Sequence, residues 1–334
     1  MARAYKILTE DQAKFFLDNG YVVIKQAFTK ETAEEWSRNL WVRLDIDPAK
    51  KSTWARERVH MPWHKRVPVA GIAPKAWAAM NDLLGEGRIK EEDSTWGDSF
   101  ILNLGMPELN PDTSTSPHAL DNWHVDGDFF VHYLDSPEQA LLVIPLFSDI
   151  RPRGGGTFIA PEGIDHVARY LVAHPEGVVP AQGHFVSSVY AEDPSADPSP
   201  YVHTETVKNC TQFAEMTGEI GDVVLMHPLM LHSASKNHLR DARVIINPPV
   251  ALKEPFNFNR ADPGEFSLVE LKTLRAVGVE KLDFRPTTER RRIAPKSSAA
   301  KNTMLKEERE RIAAYEQVHG PTLMSIVPTI IAPV

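Results

Sequence analysis

The chain has 334 residues, 42% of them hydrophobic, enough to bury a sizeable core as one large domain or two ordinary ones. Its formal charge of -8 disfavours nucleic-acid binding, which needs Lys and Arg clustered against phosphate. The single cysteine, Cys210, excludes an intrachain disulfide and a Cys-based zinc site. MARAYKILTEDQAKFF at the start lacks an apolar signal core, and no run approaches the length of a membrane span. The expectation is a cytoplasmic protein that binds neither nucleic acid nor membrane.

Thr9 with Gln12 three positions on forms a capping-box pattern, Ala13, Phe15 and Phe16 supply an apolar face, and Gly20 can close the helix. Tyr21 to Ile24 reads as a short buried strand. From Thr29 a second amphipathic helix is predicted through Ala33, Trp36, Leu40 and Leu44, spaced three to four apart. Residues 45–98 show no clear period and are assigned loosely to helices and loops.

From Ser99 the texture changes. SFILNLG, ALLVIPLFSDI, GGGTFIAP, GDVVLMH and ARVIINPPVAL are short aliphatic runs bounded by Gly, Pro, Asn and Asp, the spacing of an all-β sandwich or barrel. EDPSADPSP reads as an exposed loop. After Pro255 the chain turns polar and helical, with SLVELKTL and KEERERIAAYEQV as candidate helices around the basic stretch RPTTERRRIAPK. A single domain is expected, with a mixed helical flank over 1–98, a β core over 99–252 and a helical extension over 253–334. A lid, a homodimer element and helical packing all remain open for that extension.

NWHVDGDFF raises the chemical question. On an extended strand alternate side chains share a face, so His124 and Asp126 can reach one ion. About a hundred residues later His232 follows a Gly-Asp turn, and Arg243 stands eleven further on at the start of another strand. Together these have the layout of a two-histidine, one-carboxylate facial triad with an anchoring arginine. Ferrous iron prefers six ligands, so such a triad leaves three positions for a chelating cosubstrate and O2. If 2-oxoglutarate chelates through its keto acid, its distal carboxylate needs a cation, and a guanidinium binds it with two parallel hydrogen bonds.

From LTEDQAKFFLDNGYVVIKQAF through WHVD, GGGTFIAP and GDVVLMHPLMLHSASKN to Arg243, the sequence resembles the phytanoyl-CoA dioxygenase family of Fe(II)- and 2-oxoglutarate-dependent oxygenases. The resemblance covers about the first 250 residues in scattered blocks. It implies a double-stranded β-helix, a jelly roll flanked by helices. His124, Asp126 and His232 match the iron ligands, and Arg243 the 2-oxoglutarate anchor. A related halogenase normally carries a small residue where Asp126 stands. The glycine-rich turn departs from the family pattern, since PEGIDH places His166 late.

Other candidates are open to two readings. Thr157 either touches the cosubstrate or starts a strand, and Asn103 either offers its amide to the cosubstrate or is structural. Trp123, Phe129 and Phe130 either shape a substrate wall or pack in the core. His132, His166 and His227 read as structural. Arg285, Arg290, Arg291, Arg292 and Lys296 suit a phosphorylated or coenzyme A-linked substrate, or form a solvated face. The expected reaction is oxidation, by default hydroxylation, of a small organic substrate with Fe(II), 2-oxoglutarate and O2. Desaturation, epoxidation and ring closure use the same oxidant. The alternative is a non-catalytic jelly-roll binding protein.

Overall fold

The computed structural model describes residues 4–120, 122–179, 203–293 and 298–321. The strands are β1 (Tyr21–Ile24), β2 (Arg58–His60), β3 (Arg66–Pro68), β4 (Thr95–Gly97), β5 (Ile101–Asn103), β6 (Leu141–Pro145), β7 (Thr157–Ala160), β8 (Ala214–Met216), β9 (Val223–Met226), β10 (Leu231–Ala234), β11 (Arg243–Ile245) and β12 (Pro249–Val250). The helices are α1 (Glu10–Asn19), α2 (Lys30–Ser37), α3 (Leu40–Leu44), α4 (Val69–Ile72), α5 (Pro74–Leu84), α6 (Gly163–Ala173), α7 (His203–Lys208), α8 (Leu268–Val277) and α9 (Ser298–His319). No described helix is long and apolar enough to cross a membrane.

Every strand pairing is antiparallel: a four-stranded sheet β1-β9-β6-β12, three-stranded sheets β10-β7-β8 and β11-β5-β2, and the ribbon β3-β4. A bridge between Leu146 and Ile245 ties the first sheet to the third. β6 and β9 are buried throughout, as strands covered on both faces must be. Helices α1 and α5 pack on β1, and α8 packs against α1, α5 and α6. On the other face Leu142 and Ile144, two apart on β6, line a cavity.

The first helix is capped as its sequence suggests: Thr9 and Gln12 exchange both capping-box bonds, and Gly20 closes the helix in the left-handed region. The second predicted helix is broken in two, ending at Ser37 and restarting at Leu40. Residues 45–98, assigned loosely to helices and loops, also contain β2, β3 and β4. At three residues each, these strands are too short to display an alternating pattern. The EDPSADPSP segment and Lys296 lie outside the described residues.

The C-terminal helix is docked by charge. Arg43 on α3 donates from Nε to Glu308 Oε2 of α9 at 2.8 Å, from Nη1 to Asp98 Oδ2 at 3.0 Å and from Nη2 to the Pro62 carbonyl at 2.6 Å. His64 Nε2 meets the same Glu308 oxygen at 2.7 Å. All four side chains are buried. Removing one member leaves a buried charge uncompensated. Glu308→Ala is therefore expected to lower stability by about 3–5 kcal/mol, read from the urea midpoint. An unshifted midpoint in this variant would remove this cluster from the account of stability.

Candidate metal centre

The H-x-D segment is not a full strand. It touches β10 through one reciprocal pair, His124 N–H to the His232 carbonyl and His232 N–H to the His124 carbonyl, both at 3.0 Å. Directly opposed residues project to the same side, and the two imidazole centroids lie 4.2 Å apart. Asp126, two residues on, returns to that side. Its Oδ1 lies 3.4 Å from His124 Nε2 and 3.6 Å from His232 Nε2. One donor atom from each of the three residues falls within 4.8 Å of the others. Bonds of about 2.1 Å at right angles place neighbouring donors about 3 Å apart, so small side-chain shifts close the set around one ion.

The second ring nitrogens decide the tautomers. His124 Nδ1 lies 2.9 Å from the Asn122 carbonyl, and His232 Nδ1 lies 3.1 Å from the Met230 carbonyl. A carbonyl only accepts, so each Nδ1 carries a proton, and each Nε2 is the ring atom turned toward Asp126, the one that a metal would take once its proton is displaced. Burial opposes the charged form of Asp126, but the His232 and His124 imidazoles outweigh it and hold the carboxyl well below the usual range. Burial likewise works against the His124 cation, yet the Asp126 hydrogen bond and charge raise its pKa overall. A metal ion would take over the role of that shared proton. Asn247 Nδ2 donates to Asp126 Oδ2 at 3.3 Å, leaving Oδ1 toward the imidazoles.

Gly127 then turns the chain at a φ of 118°, where a Cβ would stand 2.5 Å from His132 Nε2. Asp128 consequently does not continue a strand in phase with Asp126.

The triad faces a cavity lined by Arg58, His60, Ile101, Asn122, Leu142, Ile144, Thr157, Ala234, Arg243, Ile245 and Asn247 as well. Arg243, Ile245 and Asn247 fall at a period of two along β11 and its extension. Arg243 is 2% exposed, donates from Nε to the Gly155 carbonyl at 2.9 Å and from Nη1 to the Ile101 carbonyl at 3.3 Å. Among the described residues it has no carboxylate partner. Burial first, then the neighbouring Arg58, push its pKa down to about 9, so it remains a cation at neutral pH. Gly155 is held at a φ of 81°, and a Cβ there would meet Asn103 Nδ2 at 2.7 Å. The glycine-rich turn thus brings its carbonyl to the guanidinium.

Thr157 lies on the cavity wall, opposite Ala234. Asn103 is fully buried, with its amide donating to the Ser235 carbonyl at 2.8 Å and the Gly155 carbonyl at 3.4 Å; it is absent from the wall. Trp123 is buried, donates Nε1 to the Pro117 carbonyl and packs on Phe213. Phe129 and Phe130 stack edge to face, and Phe130 lines a separate apolar pocket behind Asp126. His166 is exposed on α6. Arg290 pairs with Asp135 at 2.7 Å and lies over the Tyr133 ring, and Arg285 pairs with Asp283. Arg58, His60 and Asn247 were not singled out from sequence. The available signal was period-two placement, Arg58 with His60 and Asn247 with Arg243.

His227, five residues before His232, points elsewhere. It is fully buried, accepts from Leu229 N–H at Nδ1 and meets Thr273 Oγ1 at 2.9 Å through Nε2. Burial, then Lys272, push its pKa down to about 3.

No family model and no curated protein matches the chain. Solved structures do. HygX from Streptomyces hygroscopicus, with nickel, 2-oxoglutarate and hygromycin B bound, is 14% identical at a TM-score of 0.40, covering 83% of this chain and 97% of its own. The non-heme alpha ketoglutarate dependent carbocyclase SnoK from nogalamycin biosynthesis is 14% identical at 0.39, with 75% and 87% covered. A hypothetical protein, JW0805, from Escherichia coli is 15% identical at 0.43, with 81% and 82% covered. Likenesses this distant assign no chemistry, which has to be read from the site.

His232→Ala is expected to abolish binding of Fe(II) or Mn(II) in an anaerobic titration, whereas His227→Ala keeps it. The reverse pattern would move the ligand to His227. A second expectation concerns acid. An unfolded histidine takes a proton below about pH 6.5 that native His227 refuses, so stability falls with falling pH by up to about 1.4 kcal/mol per unit. His227→Gln should flatten that slope between about pH 6 and pH 4, measured by urea unfolding at each pH. An identical slope would show that another group sets it.

Proposed function

We propose that this chain is an Fe(II)- and 2-oxoglutarate-dependent oxygenase with a jelly-roll core, acting on a small organic substrate. One observation carries the reading: two imidazoles and a carboxylate share a cavity with a buried guanidinium that lacks an acidic partner among the described residues. Burying an unpaired cation is costly, and a bound carboxylate offsets that cost. The donor set of two neutral nitrogens and one carboxylate suits ferrous iron with open positions.

An iron ion held there would supply the coupling of oxidative decarboxylation of 2-oxoglutarate, giving succinate and CO2, to oxidation of a substrate C–H bond, one oxygen atom of O2 entering succinate and the other the hydroxylated substrate. His124, Asp126 and His232 would hold the metal. Asn247 fixes the carboxylate orientation. Arg243 takes the distal carboxylate of the cosubstrate in a fork, which sets the direction of its keto acid. Leu142, Ile144, Ile101 and Ile245 give the cavity apolar walls, which exclude water and strengthen these charge contacts. We propose hydroxylation as the default outcome.

The test is succinate formation after anaerobic loading with Fe(II) and 2-oxoglutarate and exposure to O2, followed by mass spectrometry. The wild type should release succinate, Asp126→Ala none. Arg243→Lys should need about tenfold or more 2-oxoglutarate, since a point charge replaces a bidentate clamp, with iron affinity unchanged. Turnover by Asp126→Ala at the wild-type rate would sink the assignment.

A further inference from the structure

The cavity contains more positive charge than one anchor supplies. Arg58 on β2 and Arg243 on β11 occupy the same rung of their sheet, each opposite Asn103 of β5. Strands about 4.8 Å apart put their Cα atoms roughly 10 Å apart, within which two arginine side chains can converge on one group. Both line the cavity. Arg58 Nη2 donates to the Ala234 carbonyl at 3.2 Å, and Arg243 Nε to the Gly155 carbonyl. Ala234 lies opposite Thr157 on the neighbouring strand, and Gly155 precedes Thr157 by two. The two guanidinium groups therefore gather at the Thr157–Ala234 rung. His232 stands one alternation away on β10, about 7 Å along the strand, a separation that a five-carbon dicarboxylate spans.

Arg58 is not satisfied by its own neighbours. Its Nε is buried without a hydrogen-bond partner. Its acidic neighbour Glu57 is 4.0 Å from Nη2 and is shared with Lys236, whose Nζ lies 3.1 and 3.4 Å from the Glu57 oxygens. Two cations facing one cavity, with no acid between them among the described residues, repel, as the effect of Arg58 on Arg243 reflects. An anion placed between them relieves both.

We propose that Arg58 is a second guanidinium contact for the distal carboxylate of 2-oxoglutarate, so that Arg58 and Arg243 clamp it from two strands and select a dicarboxylate over a monocarboxylate keto acid. This rests on the oxygenase reading above. Thr157, on the same rung, provides a hydroxyl between the two forks.

The test is calorimetric titration of the Mn(II)-loaded protein with 2-oxoglutarate and, separately, with 2-oxopentanoate, which keeps the chain length and the chelating end but lacks the distal carboxylate. Arg58→Gln is expected to weaken 2-oxoglutarate binding at least tenfold while changing 2-oxopentanoate and Mn(II) affinities less than twofold. Arg58→Lys, which keeps the charge and loses the fork, should fall between. A merely structural role at Ala234 would shift both keto acids together and would overturn the proposal. So would wild-type 2-oxoglutarate affinity in Arg58→Gln, which would leave Arg58 to an anionic group on the primary substrate. If the wild type itself prefers neither keto acid, the oxygenase reading falls first and this one with it.

Discussion

The reciprocal backbone pair between His124 and His232 is the constraint from which the centre follows. It fixes which residues of two distant segments stand opposite, and in an antiparallel pair that choice also fixes the face. Slipping the pairing by one residue would turn His124 away from His232 and take Asp126 with it. Everything finer depends on this register: the carbonyls of Asn122 and Met230 can fix the tautomers only because the rings already face one another, and Gly127 can turn the chain only after Asp126 has been delivered.

The cavity is electrostatically two-ended. Imidazole and carboxylate donors line one part, guanidinium groups another, and aliphatic side chains from β5, β6 and β11 lie among them. Such an arrangement is expensive when empty, because each polar group is withdrawn from water without a matching partner. It becomes favourable with a ligand that is a chelator at one end and an anion at the other. The glycine-rich turn before β7 serves the cationic end in an indirect way. Gly155 lends its carbonyl to both Arg243 Nε and the Asn103 amide, so the buried guanidinium is oriented by backbone and none of its charge is neutralised.

Sequence made visible what carries a strong local code. The capping box at Thr9, the apolar runs of β6 and β9, and the order H-x-D, histidine, arginine could all be placed before any coordinates. The three-residue strands β2, β3 and β4 could not, since three residues hold barely one alternation. Arg58 and His60 therefore stayed hidden in a stretch without period. Asn103 illustrates a different limit. Its strand was legible, yet whether its amide faces a ligand or two carbonyls is settled by the turn at Gly155 and the chain at Ser235, 52 and 132 residues away. Phe130 is a third case: it follows the H-x-D segment closely, but the turn at Gly127 sends it behind Asp126 into another pocket.

The buried Arg43 cluster has a consequence for the order in which the chain can be completed. Its two acidic partners are separated from it by 55 and 265 residues. At about 5–20 residues per second of synthesis, Arg43 leaves the ribosome roughly 15–50 s before Glu308 does. During that interval the site between α3 and the β3-β4 ribbon has one carboxylate and no closing helix, so the guanidinium has reason to stay hydrated. The packing around α3 is thereby left unfinished until α9 has emerged, and it joins segments of the chain 265 residues apart.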